Sequence, residues 1–400
     1  MKRIVTLLLA AGLVLGAAAG SRAADIKAKG NWTFTWQLGD QTFAKHSGKD
    51  NFTAKQRLRT QIDVIASESL KGVMFFEIGH QNWGKSAQGA ALGTDGKEVK
   101  VRYSYVDWVV PQTDVKVRMG LQKYTLPNFT GIGSPILDAD GAGITISNQF
   151  TENVGTNLFW LRAANDNDPE MTKHDAHDAL DFIGLTVPLT FDGVKVTPWG
   201  MGGIIGQDSF KGSGPDMTGI AMPGMLPLGG DAAIAASSDK DHGSIWYGGI
   251  AADVTYFEPF RFALDAAYGS VDMGTSKLNG KNFDVKRSGW YAAFLAEYKL
   301  ESCTPGLLFW YSSGDDANPY NGSERLPSID PDVYVTSYGF DGTNFCRAQQ
   351  VLGTSVDGTF GIVGHLKDIS FFEDLSHTLR VAFYRGTNNT ENVRQKMITK

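Results

Sequence analysis

After its first two dozen residues the sequence has no hydrophobic run long enough for a membrane-spanning helix. No later stretch approaches the roughly 18 consecutive apolar residues that such a helix needs. If the chain crosses a membrane, it must therefore do so as a closed β-barrel, because lipid offers no partner for unpaired backbone groups.

The sequence also lacks an excess of positive charge. Its 37 Lys and Arg residues are outnumbered by 43 Asp and Glu residues. Nucleic acid is therefore excluded as a predicted partner, because phosphate binding needs concentrated Lys and Arg side chains.

Motifs of enzyme chemistry are absent. There is no Gly-x-Ser-x-Gly turn and no phosphate-binding loop. A barrel phospholipase would need a Ser/His pair on one wall, and His80, His365 and His377 have no Ser on an obvious partner strand. His174 and His177 lie in an acidic loop, where solvated side chains are a simpler interpretation than a metal site. We predict no catalytic residue, no cofactor and no metal.

Cysteine is scarce, with only Cys303 and Cys346 in the chain. An exported chain meets oxidising conditions, which permit a disulfide. Cys303 is predicted beside a short turn and Cys346 in a long loop, at opposite ends of the fold. Whether the two pair is left open.

The N-terminus carries the features of an export signal. A basic start at Lys2 and Arg3 precedes an apolar stretch, and Ser21-Arg22-Ala23 matches a small-x-small cleavage site. Residues 1–23 are therefore predicted to be a cleaved signal peptide, and residues 24–400 the mature domain. Cleavage removes three basic residues, which leaves 34 against 43 acidic residues and a net charge of −9.

The segment Lys55–Val64 separates its side chains into two sets. Lys55, Arg57, Arg59, Gln61 and Asp63 alternate with Gln56, Leu58, Thr60, Ile62 and Val64. Because successive side chains of a strand point to opposite faces, this strand has one charged face and one largely apolar face. Segments 250–256, 260–269 and 290–300 repeat the alternation. In an exported chain the pattern predicts lipid on one face and a water-filled lumen on the other.

Strand-like segments recur along the mature chain. We predict fifteen, at 25–38, 52–66, 73–82, 99–109, 115–123, 143–149, 155–164, 179–189, 194–205, 244–257, 260–270, 287–300, 307–312, 358–369 and 378–386. Short turns alternate with longer loops rich in Gly, Asp, Asn, Ser and Pro, notably 124–142, 206–243 and 313–357. This is the arrangement expected of short periplasmic turns and long outer loops.

The predicted fold class is all-β, a transmembrane antiparallel β-barrel. Bacterial single-chain barrels have even strand numbers, and the chain ends on the polar segment Arg394–Lys400 without an aromatic-ended strand. We therefore expect 16 strands, or 18, with the C-terminal strand or strands missing from this chain. A soluble β-sandwich is the alternative, disfavoured because the presumed inner face is too charged for a packed core.

The mature chain begins Ala24-Asp25-Ile26-Lys27 and continues Gly30-Asn31-Trp32-Thr33-Phe34-Thr35-Trp36. This beginning resembles the homotrimeric outer-membrane porins of sulfate-reducing (Desulfovibrio-like) bacteria, and the similarity runs along the mature chain. The resemblance implies a homotrimer in a Gram-negative outer membrane, in contact with lipid and lipopolysaccharide. It also implies passive diffusion of small hydrophilic solutes and ions through water-filled barrels.

Basic residues alternate along three predicted strands: Lys55, Arg57 and Arg59; Lys100 and Arg102; Lys116, Arg118 and, at the end, Lys123. The loop 124–142 follows, where the constriction loop lies in general porins that the chain resembles. Its apolar residues suit packing against a barrel wall, so Asp138 and Asp140 are expected to face the basic residues. The predicted pore-constriction residues are Arg57, Arg59, Arg102, Arg118, Lys123, Asp138 and Asp140.

Other interpretations stay open at this point. The basic stripe could be an ordinary solvated face, and Glu77 could simply pair with Arg57 or Arg59. A substrate-specific porin would need an aromatic track, whereas most aromatic residues fall on the presumed lipid face. A non-conducting adhesin or structural barrel differs from a porin only in conductance. For a porin, the basic stripe predicts weak anion preference or near neutrality.

Overall fold

A computed structural model describes residues 24–39, 51–93, 99–164, 179–206, 222–225, 238–278, 280–318, 320–335 and 355–391. The strands are β1 (Asp25–Gly39), β2 (Asn51–Ser67), β3 (Leu70–Asn82), β4 (Val99–Val109), β5 (Lys116–Thr125), β6 (Gly133–Ser134), β7 (Asp138–Gln149), β8 (Gly155–Ala164), β9 (Leu180–Thr186), β10 (Leu189–Phe191), β11 (Val194–Gly206), β12 (His242–Val254), β13 (Phe260–Leu278), β14 (Lys281–Tyr298), β15 (Thr304–Ser312), β16 (Asp332–Val333), β17 (Thr359–Phe372) and β18 (Leu375–Gly386). Two short helical turns, Ser86–Gln88 and Met222–Met225, accompany them.

Sixteen strands form one antiparallel sheet in which neighbours in space are neighbours in sequence. The order is β1-β2-β3-β4-β5-β7-β8-β9-β11-β12-β13-β14-β15-β17-β18, and β10 pairs with β11 beside β9. Each of the fifteen predicted segments overlaps a strand of this sheet. The predicted segment 179–189 covers two of them, β9 and the first residue of β10. The predicted all-β antiparallel fold is confirmed. Within the described residues the sheet has 16 strands, and the sixteenth is the short β10 rather than the additional C-terminal strand that was expected.

The sheet curls strongly around the segment 126–137, which joins β5 to β7. Asn128 Nδ2 lies 3.0 Å from Oδ2 of Asp265 on β13, although six strand-to-strand steps separate β5 from β13. On a flat sheet those steps would span about 29 Å, at roughly 4.8 Å each. Asn128 is only three residues beyond β5, a reach of about 10 Å. The sheet must therefore curve into a barrel to bring Asp265 there. Over the described ranges, no backbone ladder joins β1 to β18.

Alternation separates an outer apolar face from an inner face. On β13, Phe260, Leu264 and Tyr268 are exposed, while Ala263 and Asp265 are buried on the opposite side. Exposed large apolar side chains continue from β1 to β18, so the outer face is apolar around the sheet. In the part of the chain that the structure describes, no helix is both long enough and apolar enough to span a membrane.

The inner face is not charged throughout, and the expectation that it could supply no packed core is wrong for one half of the sheet. Between β8 and β15 it buries large apolar side chains that pack with the segment 126–137 and with residues 320–335: Phe182, Trp199, Ile245, Tyr291 and Trp310 belong to this core. The two inserted segments supply the apolar surface that the wall alone lacks.

Two predicted connections are narrower than expected. Residues 124–125 belong to β5 and residues 138–142 to β7, because the β5–β7 ladder runs to the pair Thr125–Asp138. Asp138 and Asp140 are thus strand residues. The connection predicted between the strands 260–270 and 287–300 is also shorter, because β13 continues to Leu278 and β14 begins at Lys281.

Several expectations fall outside the described residues. They concern the predicted signal peptide 1–23, the loop with His174 and His177, Cys346 as a disulfide partner, and the segment 392–400.

Candidate functional site

The register of β2–β5 places basic side chains of three strands on one stretch of the inner face, which we call the basic wall: Lys55, Arg57, Arg59, Lys100, Arg102, Lys116 and Arg118. Arg59 is opposite Glu77, which is opposite Lys100. Asp107 on β4 is opposite Arg118 on β5. Since directly opposed residues share a face, the charges form layers across the wall.

The layer that contains Arg59 and Glu77 is a chain of ion pairs. Arg59 Nε donates to Glu77 Oε2 at 2.6 Å, and Arg102 Nη1 lies 3.7 Å from the same oxygen. Arg102 Nη2 lies 2.6 Å from Asp140 Oδ2 on β7. Of the partners considered for Glu77, the structure places Arg59 in direct contact. Glu77 was not among the predicted site residues, although its place between two basic strands was a usable signal.

Arg57 and Arg118 lie on opposite sides of this layer. Arg57 Nη1 is 3.3 Å from His80 Nε2. Arg118 makes a bidentate pair with Asp107, with Nε–Oδ1 at 2.6 Å and Nη2–Oδ2 at 2.9 Å. Asp107 is five residues from Arg102 along β4, roughly 17 Å in an extended strand. The structure therefore does not bring Arg118 to the acidic residues that contact Arg102.

The β5–β7 hairpin leaves the wall and enters the interior. The β4–β5 ladder stops at Ser104–Leu121, whereas the β5–β7 ladder continues to its end. One face of the hairpin packs on β8, where the rings of Tyr124 and Phe159 are 5.5 Å apart. By alternation, the other face points away from β8.

That second face carries the remaining predicted site residues. Lys123 Nζ lies 2.7 Å from Asp138 Oδ1, and Asp140 meets Arg102 across the gap that β5 leaves beside β4. The hairpin thus presents carboxylates toward the basic wall. The physical cause is the departure of β5 from β4, which no local sequence pattern reports.

The segment 126–137 is fixed to the far wall by one carboxylate. Asp265, only 4% exposed, accepts from Asn128 Nδ2 at 3.0 Å, Phe129 N at 2.8 Å and Thr130 N at 2.9 Å, and also from Thr130 Oγ1. Arg261 Nη2 donates to Phe129 O at 2.8 Å. The segment therefore crosses the interior from β5 to β13.

Residues 320–335 form a second inserted segment alongside the first. Ser134 pairs with Asp332 in the β6–β16 ladder, and Asp138 N donates to Asp330 O at 2.8 Å. Burial, and then repulsion by the carboxylates of Asp332, Asp138 and Asp140, raises the pKa of Asp330 to about 6. Sequence reasoning missed Asp330 and Asp332, because nothing in their surrounding loop indicated that it folds back beside Asp138.

Across the described ranges, no three His, Cys, Asp or Glu side chains lie together as a metal site requires. The basic wall and the carboxylates of the β5–β7 hairpin thus face each other inside the sheet. Fixed charges of both signs at this distance produce an electric field that can orient ions and dipolar solutes in water.

Neither a known protein-family profile nor a curated protein matches the chain. Similar solved structures include in-vitro folded OmpT, an outer membrane protein of Vibrio cholerae in trimer form, at 11% identity, covering 93% of both chains with a TM-score of 0.44. The anion-selective porin from Comamonas acidovorans matches at 10% identity over 91% of this chain and 89% of that chain (TM-score 0.46). Salmonella typhi OmpF in complex with daunomycin matches at 11% identity over 91% of this chain and 98% of that chain (TM-score 0.42). At these values the similarities decide nothing about function.

Proposed function

We propose that the chain is an outer-membrane porin, a barrel through which small hydrophilic solutes and ions diffuse passively. The observation that carries the proposal is the Arg102–Asp140 contact, where the basic wall meets the inserted β5–β7 hairpin. An apolar outer face suits lipid, and the charged inner wall suits water.

The inserted segments narrow the passage from one side. The apolar core between β8 and β15 is packed against residues 126–137 and 320–335, so the aqueous route runs beside the basic wall. Low-dielectric walls focus the field of fixed charges across a narrow gap. Width and field at this constriction would select solutes.

The proposed ion preference is weakly anionic or near neutral. On the inner face of β2–β5, cations outnumber carboxylates. The cations are Lys71 on β3 and the seven residues of the basic wall, and the carboxylates are Asp63, Glu77 and Asp107. The β5–β7 hairpin brings Asp138 and Asp140 to the same region, and the segment 320–335 brings Asp330 and Asp332. These carboxylates offset part of the positive excess.

The proposal includes a homotrimer in a Gram-negative outer membrane, in contact with lipid and lipopolysaccharide, after cleavage behind Ala23. It includes no enzymatic activity and no cofactor. A substrate-specific porin and a non-conducting adhesin or structural barrel are the competing functions.

The test of the proposal is the conductance of the full-length protein, purified from outer membranes, in a planar bilayer with a salt gradient across it. Large stepwise currents in groups of three are expected, with a reversal potential near zero or on the anion side. A strongly cation-selective reversal potential would contradict the role given to the basic wall. Absence of current from folded, heat-modifiable protein would reject the porin and favour the adhesin or structural barrel.

A further inference from the structure

Three aromatic rings lie on the basic wall, although most large aromatic side chains are on the outer face. The rings of Phe75 on β3 and Tyr103 on β4 stack with centroids 4.9 Å apart and planes at 23°. Tyr105 follows, with its centroid 6.5 Å from that of Tyr103. All three side chains are half-buried, so part of each ring stays accessible from the interior. We call Phe75, Tyr103 and Tyr105 the aromatic step.

The register places this step between two charged layers. Phe75 is opposite Gln61 on β2 and Tyr103 on β4. On β2 and β3 this row lies two residues along the strand from the pair Arg59–Glu77, and therefore on the same face. The β3–β4 ladder shifts register between Phe75 and Phe76, and this shift brings Arg102 beside the step. The Arg102 guanidinium carbon is 5.8 Å from the centroid of the Tyr103 ring.

A second guanidinium covers the lower end of the step. The Arg118 guanidinium carbon lies 4.1 Å from the centroid of the Tyr105 ring. Gly120 is opposite Tyr105 and has a φ of +125°, and a Cβ there would lie 2.3 Å from Ser104 O. The glycine permits the close backbone approach and adds no side chain over the ring.

The sequence of groups down the wall is therefore guanidinium, aromatic rings, guanidinium. Guanidinium groups donate strong hydrogen bonds to carboxylates. Arg102 uses Nε and Nη2 for Asp140, and Arg118 uses Nε and Nη2 for Asp107, so a ligand carboxylate would bind at Nη1 of either side chain. Aromatic faces attract flat rings by offset stacking, an interaction that aliphatic groups of the same size do not make. An inorganic anion would use only the charges, and a neutral sugar only the rings. A flat ring bearing a carboxylate uses both.

We propose that the aromatic step is a binding site for small aromatic carboxylates on their way through the barrel. The channel then favours such anions over aliphatic carboxylates of equal charge. The inference rests on the proposed porin function and names a substrate class for it.

The competing explanation is that the three rings only stiffen the wall where β5 leaves β4. Stiffening predicts the same behaviour toward all monocarboxylates of similar size. A binding site predicts a difference between planar and non-planar anions, so the two explanations separate in one measurement.

The test measures inhibition of the chloride current of the full-length protein in planar bilayers by benzoate, cyclohexanecarboxylate and acetate. Cyclohexanecarboxylate has nearly the size and apolar character of benzoate but is not flat or aromatic. We expect half-inhibition by benzoate at an about tenfold lower concentration than by cyclohexanecarboxylate, a difference of about 1.4 kcal/mol. Equal half-inhibition by these two anions would overturn the proposal without any variant.

Two variants locate the effect. Tyr103→Leu and Phe75→Leu each remove one ring of the step and leave every charge in place, so each should bring benzoate to the level of cyclohexanecarboxylate. Tyr268→Leu is the matched control, because Tyr268 stacks on Trp246 at 5.1 Å on the outer face. A benzoate preference that persists in both step variants would overturn the assignment.

Failure of this inference differs from failure of the proposed function. A conducting protein that treats the three anions alike contradicts the aromatic step and leaves the porin intact. A folded protein without any current rejects the porin and with it the binding site.

Discussion

Among single residues, Asp330 is the one through which pH should change the charge of the proposed constriction. Its pKa is raised to about 6 by burial and by the carboxylates of Asp332, Asp138 and Asp140. Lowering the pH from 7 to 5 should therefore neutralise Asp330 and shift the reversal potential under a KCl gradient toward anion selectivity. Asp330→Asn should show the shifted potential already at pH 7.

The variant also separates the contribution of Asp330 from that of any other group. If Asp330→Asn keeps the full pH dependence of the parent protein, the assignment is wrong. The stability effect has a defined sign as well. Because the folded pKa lies above the ordinary value of 3.8, the ionised carboxylate destabilises the fold. This penalty is absent below about pH 3.8 and complete above about pH 6.

Asp140 tests whether the hairpin and the wall act together. Asp140→Asn removes the carboxylate that Arg102 contacts at 2.6 Å and leaves Glu77 at 3.7 Å. The added net positive charge should raise the chloride-to-potassium permeability ratio about two- to fivefold, measured from the reversal potential. Asp114→Asn, in the short turn between β4 and β5, is the matched control and should leave the ratio unchanged. A ratio that does not move in Asp140→Asn would remove this pair from the constriction.

Among the strands, β11 contains a proline, Pro198, at a point where its neighbour in the sheet is interrupted. Proline has no backbone N–H for a ladder, and the sequence places Pro198 inside a predicted strand. In the structure Pro198 lies on β11 where β9 ends and β10 begins, since Thr186 pairs with Trp199 and Leu189 with Val196. The proline thus coincides with an interruption of the neighbouring strand.

The segment 126–137 depends on Asp265 for its position in the barrel. Asp265→Ala removes the acceptor of hydrogen bonds from Asn128, Phe129 and Thr130, a loss of roughly 3 kcal/mol for buried charged hydrogen bonds. We expect larger and noisier single-channel currents, because the segment would be held less firmly across the interior by Arg261 and the β6–β16 ladder alone.

Asp181→Ala is the control for that experiment. Asp181 also makes charged hydrogen bonds, to Arg162 at 3.0 and 2.9 Å, but on the outer side of β9. Its loss should leave single-channel conductance unchanged. Identical currents in Asp265→Ala and the parent protein would show that the segment does not limit the passage.

The outer apolar face gives a prediction for the whole molecule. If the barrel lies in a bilayer, Leu264→Arg puts a charge on the lipid side of β13 at a cost of about 2–4 kcal/mol near the midplane. The expected result is a lower yield of heat-modifiable protein on folding into lipid vesicles. Gln61→Arg, on the inner face of β2, should fold like the parent. Equal folding of both variants would contradict the membrane orientation of the sheet.

The periodicity of the sequence was sufficient to predict the strands and their two faces. Side-chain alternation is a property of each extended segment by itself, so Arg57, Arg59 and Leu264 could be assigned to a face without any partner strand. The basic wall follows, because its members are on successive strands that pair in chain order. Glu77 was visible in the same way, as an acidic residue between basic strands.

Only the tertiary structure decided what fills the barrel and which charges meet. Arg102 reaches Asp140 because β5 leaves β4, and Asp265 and Asp330 acquire their roles because two loop segments fold onto walls far away in sequence. Alternation acts between neighbouring residues and carries no information about such long-range contacts. The sequence by itself therefore determined a chain of amphipathic strands with two distinct faces, and the packing of the inserted segments determined the shape and charge of the interior.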